Sequence, residues 1–479
     1  MLLFSGSIFA QDLVCEVPLD LPPGSRAFSV PKPLGSTTQQ PEILFQTSDS
    51  AILATLDNNY QLSRIAEVSF NLPEKGMSIN GISRSESEVF LYYQSSYSGS
   101  ALRAVAISPG QDSVRRLPLK FSTPPRHHLL RSFGYMGSFF LLYFEASTSQ
   151  LHLYELKNGR RHSLFSCELE LPDLEKKLSP NKSARLPLLN DYLHELVELS
   201  QEPSKLYLSK SKLFLTIEYP EDQVTSLVTL DLEKHEFLVQ KFKAPESADI
   251  APQKFLLNSL LVKGDLWQFS GNHQSAKLTC IDTKTGNVKL LETYETDDDL
   301  PSDQFYYRKI KGLGFPEKEK PSRPFMSQLR DNMALLADAT DEGNLRLQIG
   351  GYSGVRASVG QYIALGATAT AVLSFIISSD RNNVQTLGYE PYLMIGGLSY
   401  GLASILVRKH HYKYTYTSMA WDGKTLTGAD ATPNRYLRFK DFMKRQTRRN
   451  LYTASLAFYL KDELFYGYVF KGRFWLYQI

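Results

Sequence analysis

The chain repeats itself, and the repeat limits the fold more than any other feature. An apolar, aromatic strand is followed by a short turn and then by an alternating strand. Val89–Tyr93 precedes Ala101–Ile107, and Ser138–Phe144 precedes Gln150–Leu156, which ends at the Asn158-Gly159 turn. The phrase returns as Lys212–Ile217 with Ser226–Leu232, as Asp265–Phe269 with Lys277–Asp282, and as Glu463–Phe470 with Gly472–Tyr477. Phe90 and Phe140 are 50 residues apart, and Asp231 and Asp282 are 51 apart. Repeats of about 40–50 residues, each a small antiparallel sheet, are the signature of a β-propeller. The alternative is a set of unrelated β-sandwich hairpins. A blade cannot bury both faces alone, so apolar runs too long for one-sided burial favour stacked blades. Weaker copies at Ile43–Phe70 and at Leu335–Tyr352 with Tyr412–Leu426 bring the expectation to about seven four-stranded blades over Ala27–Ile479. The last strand, from Phe474 to Ile479, is placed to pair with an N-terminal strand and close the ring.

Composition agrees. The 27 Tyr, 27 Phe and 3 Trp make 12% of the chain aromatic, which favours strands. Phe140 and Phe214 lie 74 residues apart, and a helical insertion between blades over Asp173–Leu199 accounts for the excess. Fifty-three basic against 50 acidic residues give a net charge of +3, too balanced to announce a nucleic-acid partner. Cys15, Cys167 and Cys280 are too few and too dispersed for a disulfide framework or a zinc motif. Cys167 and Cys280 fall on strands and read as small core hydrophobes.

The blade phrase resembles that of exported bacterial β-propeller proteins of no assigned activity. The resemblance covers most of Ala27–Ile479 but is generic to blades, since neither a WD dipeptide nor a kelch double glycine recurs. Met1–Ala10 is an apolar run ending on a small residue, similar to the end of a secretory signal peptide, with Gln11 as the first mature residue. It lacks a basic region and is short, so a merely apolar N-terminus is the competing reading.

One segment breaks the pattern. Between Arg356 and His411 lie Tyr362–Ser379 and Pro391–Val407, both without charge. Each approaches the ~17–25 apolar residues that cross a bilayer. Gly366, Ala367, Thr370 and Ala371 in the first, and Gly397 and Gly401 in the second, supply small residues at helix-packing spacing. Tyr362–Val407 is therefore expected to form an apolar helical hairpin grafted into a blade, in contact with membrane lipid. A buried or partner-covered hairpin, or an apolar loop, is the alternative. Arg356, Arg408 and Lys409 flank it, and positive-inside reasoning would put the propeller on the cytoplasmic face of the inner membrane. The signal-like N-terminus puts it in the cell envelope, exported, periplasmic or membrane-associated.

Catalytic motifs are absent from the sequence: no GxGxxG, Walker A, HExxH or GxSxG occurs. His127-His128 and His410-His411 are adjacent pairs, and neighbours on a strand point to opposite faces, so neither pair makes joint metal ligands. Asp297, Asp298, Asp299 and Asp303 lack the spacing and glycine of a calcium loop. Arg435–Arg449 holds seven basic residues and one acidic; it suits an anionic surface or, more simply, a solvated amphipathic connector. These features lead to a binding or scaffold module for a protein or glycan. The alternative is a hydrolase or lyase with its active site in the propeller funnel. No catalytic, cofactor or metal residue is assigned from the sequence.

Overall fold

The structure is a computed structural model that describes the chain from Asp12 to Gln478, apart from some intervening segments. Those outside the description are chiefly residues 32–39, 70–76, 96–100, 109–112, 123–125, 179–185, 191–201, 246–254, 296–304, 310–316, 319–332, 340–344, 355–411 and 429–453. The described residues form seven sheets, antiparallel but for one short added strand, and apart from the N-terminal strand of the last sheet the chain completes one before starting the next. This is a seven-bladed β-propeller.

Blade 1 is Arg26–Val30, Glu42–Gln46, Ser50–Leu56 and Leu62–Ser69; blade 2 is Met77–Arg84, Val89–Ser95, Leu102–Ser108 and Ser113–Phe121. Blade 3 is His127–Tyr135, Ser138–Glu145, Gln150–Lys157 and Arg160–Glu168. Blade 4 is Ser204–Ser209, Lys212–Tyr219, Val224–Asp231 and Glu236–Lys243, and blade 5 is Leu256–Val262, Asp265–Gly271, Ser275–Asp282 and Val288–Glu295. In blade 6, Met333–Ala339, Leu345–Gly354 and Tyr412–Trp421 are followed by an outer position filled from two places. Phe305–Lys309 pairs with one half of Tyr412–Trp421 and Leu426–Gly428 with the other. Blade 7 is Ala454–Leu460, Glu463–Phe470 and Arg473–Gln478, and its fourth strand is Asp12–Pro18 from the N-terminus. The expected ring closure is thus present. The five strong apolar runs are each the second strand of their blade.

Why those runs are apolar throughout follows from what each face meets. Along Val89–Ser95, Val89, Leu91 and Tyr93 pack with Leu44 and Leu53 of blade 1, while Phe90 and Tyr92 pack with Phe139 and Leu141 of blade 3. In blade 3, Phe139, Leu141 and Tyr143 face blade 2, and Phe140, Leu142 and Phe144 face Leu213 and Leu215 of blade 4. Aromatic pairs mark several interfaces: Phe45 on Phe474, Tyr92 on Phe139, and Trp267 on Trp421, with centroids 5.6, 5.1 and 5.4 Å apart. Outer strands have no such cover on both sides. Arg160–Glu168 is mostly exposed, whereas Ser138–Glu145 is buried along nearly its whole length.

Tight turns hold the registers. Asn158 and Gly159 both have positive φ, 52° and 70°, the left-handed pair that suits a two-residue hairpin. Gly159 N–H also donates to the Tyr92 hydroxyl at 3.2 Å, tying the turn of blade 3 to the core of blade 2.

Within Asp173–Leu199 the described residues hold a short helix, Leu174–Leu178, and a short strand, Leu188–Asn190, parallel to Ser204–Ser209; residues 179–185, 187 and 191–199 of the expected helical insertion lie outside the described residues. The helix packs: Leu174 and Leu178 are buried between blades 3 and 4, and Ser204 donates to the Lys177 carbonyl at 3.0 Å. Tyr362–Val407, Met1–Ala10 and Arg435–Arg449 lie outside the described residues. Among the described residues no helix is long and apolar enough to cross a membrane.

One buried ion pair joins two blades. Lys205 Nζ lies 2.8 Å from Glu218 Oε1 and donates to the Ser259 carbonyl of blade 5 at 2.9 Å. Ser259 returns its N–H and hydroxyl to Glu218 at 2.7 and 3.0 Å. Burial pushes the Glu218 carboxyl up, and the Lys205 ammonium pulls against that shift. Lys205 and Glu218 are 0% and 2% exposed, so either charge left alone would be stranded.

Two stability outcomes follow. Lys205→Met should cost about 3–5 kcal/mol in urea unfolding, and adding Glu218→Leu should restore most of it, because the pair is worth less than its breaking. Phe140→Ala, which empties a buried site stacked on Phe133 at 5.3 Å, should cost about 3–5 kcal/mol, and half-buried Phe214→Ala clearly less.

Candidate functional site

Four antiparallel strands return the chain to the face from which it set out. Each blade therefore begins and ends at one face of the disc, here termed the crossover face. First strands start there, second strands end there and third strands start there. Three ionisable side chains of blade 3 meet at that edge. His127 opens the first strand, Glu145 closes the second, and His152 is near the start of the third. His127 pairs across the ladder with Glu145, and His152 pairs with Tyr143, two residues before Glu145. Period two then puts all three side chains on one side of the sheet, the side facing blade 2. His128, opposite Phe144, points the other way.

Distances within the group are short. His152 Nε2 is 3.3 Å and His127 Nε2 3.6 Å from the same oxygen, Glu145 Oε2. The two imidazoles stack, with centroids 4.3 Å apart and planes within 10°. Both His side chains are 9% exposed and that of Glu145 is 19% exposed, so the group sits at the rim of the blade 2–3 interface. Fixed donors surround it. Ser147 and Thr148 in the following turn donate to Glu145 at 3.0 Å each, and Ser166 of the fourth strand contacts His152 Nδ1 at 2.8 Å.

The electrostatics follow from those neighbours. Hydrogen bonds from Thr148 and then Ser147 hold the Glu145 carboxyl below the usual carboxylate range, so it is ionised at neutral pH. Burial, followed by the adjacent His152, pushes the His127 imidazole down and keeps it neutral. His127 Nδ1 is buried with no hydrogen-bond partner. Two imidazole nitrogens facing one carboxylate can pass a proton or take up a cation. Among the described residues this is the one set of three His, Cys, Asp or Glu whose ligand atoms all lie within 4.8 Å.

The sequence named His127 and rejected His128 as its co-ligand, but did not find the partners that the register brings to it. His128 is its neighbour in the chain, whereas Glu145 and His152 become its neighbours only through strand register. The signal was present in principle: Glu145 and His152 flank a short hairpin turn, and His127 begins the preceding strand. The pair His410-His411, Asp297–Asp299 with Asp303, and the basic run to Arg449 lie outside the described residues. Cys167 and Cys280 are core residues as expected, and Cys15 is buried as well.

No protein-family model matches this chain, and no curated protein matches it. Several solved structures are similar to it. The Dos1 propeller shares 9% identity at a TM-score of 0.31, covering 98% of this chain and 95% of that one. The Nup133 β-propeller domain of Vanderwaltozyma polyspora shares 11% identity at a TM-score of 0.25, covering 58% of this chain and 76% of that one. A structure from work on two prolyl endopeptidases shares 10% identity at a TM-score of 0.28 over 68% of this chain, which spans only 39% of that longer protein. Likeness at this level carries no argument about activity; the fold rests on the strand pairing itself.

The thiols yield a direct check on the core. Burial pushes Cys15 up to about 11, and Cys167 and Cys280 each up to about 12. At pH 8 a disulfide reagent should therefore label the native protein slowly at all three, and rapidly once denaturant is added. Fast labelling of Cys167 or Cys280 in the folded protein would contradict their placement.

Proposed function

We propose that this protein is a cell-envelope binding or scaffold module, tied to a lipid bilayer through residues 362–407 and holding a protein or glycan on its crossover face. One observation carries the reading. The second strand of blade 6 ends at Gly354 and the third begins at Tyr412, and these two residues pair with each other in an unbroken register. Residues 355–411 thus leave from and return to the crossover face without being needed for strand pairing. The two uncharged stretches within them are long enough to enter lipid. So much contiguous apolar surface needs cover, and lipid supplies it without demanding a fitted partner.

Export is supported from the other end. A cut before Gln11 would leave Asp12–Pro18 whole to complete blade 7. First strands of successive blades start at the same face, so a ligand there can be recognised by several blades at once, without any linear motif.

Cell fractionation with protease accessibility tests this reading. The native protein should pellet with membranes, be released by detergent, and resist external protease until the envelope is opened. Replacing residues 362–407 with a short Gly/Ser bridge should leave the melting temperature nearly unchanged and move the protein into the soluble fraction. A full-length protein that is soluble without detergent, or a bridged variant that unfolds, would overturn the anchor. Protection consistent with the cytoplasmic side would overturn export.

A further inference from the structure

We propose that His127, Glu145 and His152 bind a single divalent transition-metal ion of the zinc class at the crossover edge of blade 3. This inference is independent of the anchor and of any ligand on that face. Two imidazole nitrogens and one carboxylate oxygen are a donor set suited to borderline cations, and they leave a fourth tetrahedral position for water.

The spacing fits. An ion held by bonds of about 2.0–2.2 Å at tetrahedral angles keeps its donors roughly 3.3–3.5 Å apart. Here the oxygen stands 3.3 Å from one nitrogen and 3.6 Å from the other, and all ligand atoms lie within 4.8 Å. Capture needs the two rings, now stacked within 10°, to splay until both Nε2 lone pairs converge beside Glu145. That is a side-chain rotation at two residues; the strands that carry them stay in register.

The surroundings are those of a built site. His152 is oriented through Nδ1 by Ser166, and Glu145 is fixed by Ser147 and Thr148, the kind of outer support that holds metal ligands in place. His127 is the telling member. Its side chain is nine-tenths buried, its Nδ1 has no partner, and its Nε2 stands 3.6 Å from Glu145, too far for a good hydrogen bond. Coordination through Nε2 gives that nitrogen the strong partner it lacks, with the ring proton carried on Nδ1.

The test uses the full chain, free of any histidine tag and stripped with a chelator. Co²⁺ titrated against absorbance should give the visible bands of a four- or five-coordinate ion and saturate at one per chain. Zn²⁺ should displace it and raise the melting temperature. Glu145→Gln and His152→Ala should each weaken Co²⁺ binding by at least tenfold and abolish the Zn²⁺ shift, while His128→Ala should change neither. Glu145→Gln keeps the shape while removing the charge and one acceptor oxygen, so it remains informative if His152→Ala fails to fold. A wild-type chain without stoichiometric binding, or binding that survives Glu145→Gln undiminished, would overturn the proposal and leave the trio as a hydrogen-bonded pair of stacked rings.

Discussion

A four-stranded sheet with two apolar faces is insoluble in isolation, and every large feature of this protein answers that constraint. Among the described residues, the second strands of blades 2 and 3 are covered from both sides by neighbouring blades, so their cores are shared. The apolar clusters fall between blades: one joins the last blade to the first, and others join the first to the second, the second to the third, and the third to the fourth. Such an arrangement cannot simply stop. A blade at either end would expose a sheet face and a strand edge. Asp12–Pro18 removes that problem by crossing to the far end of the chain and pairing with Arg473–Gln478, which makes the first and last described strands neighbours in one sheet.

The same constraint explains how much of the fold could be read in advance. Second strands announce themselves because burial on both faces makes them largely apolar; Phe139–Phe144 is apolar throughout, and Leu266–Phe269 is broken only by buried Gln268. Fourth strands do not. Val288–Glu295 is almost wholly exposed, and its sequence reads no differently from a polar connection. The outer edge of blade 6 was beyond reach, because Phe305–Lys309 joins Tyr412–Trp421 from before the blade begins.

The site was partly legible, and the division is physical. Adjacent histidines are visible in sequence, and alternation correctly excludes His127 and His128 as joint ligands. The same alternation, applied across the ladder instead of along it, brings His127, Glu145 and His152 to one side. That step needs the register between three strands, which depends on turn lengths and on the bulge between Leu129 and Arg131. A slip of one residue would send His127 to the blade 4 side and dissolve the group.

Two polar clusters at blade interfaces now invite contrast. Lys205, Glu218 and Ser259 lie fully inside, bond to one another, and connect blade 4 to blade 5. His127, Glu145 and His152 lie at a rim within one blade, with Glu145 19% exposed, and leave His127 Nε2 3.6 Å from its nearest carboxylate oxygen. Burial depth separates the roles. A charge sealed in the interior must be neutralised by the fold, and its groups are consumed in doing so. A group buried just inside the rim at the end of rigid strands keeps its geometry while part of its bonding capacity stays open, which is the condition for capturing something from outside. Placement on strands also sets the precision: the three donors are fixed by backbone hydrogen bonds shared with the core, so the fold that buries Tyr143 and Phe144 also aims Glu145.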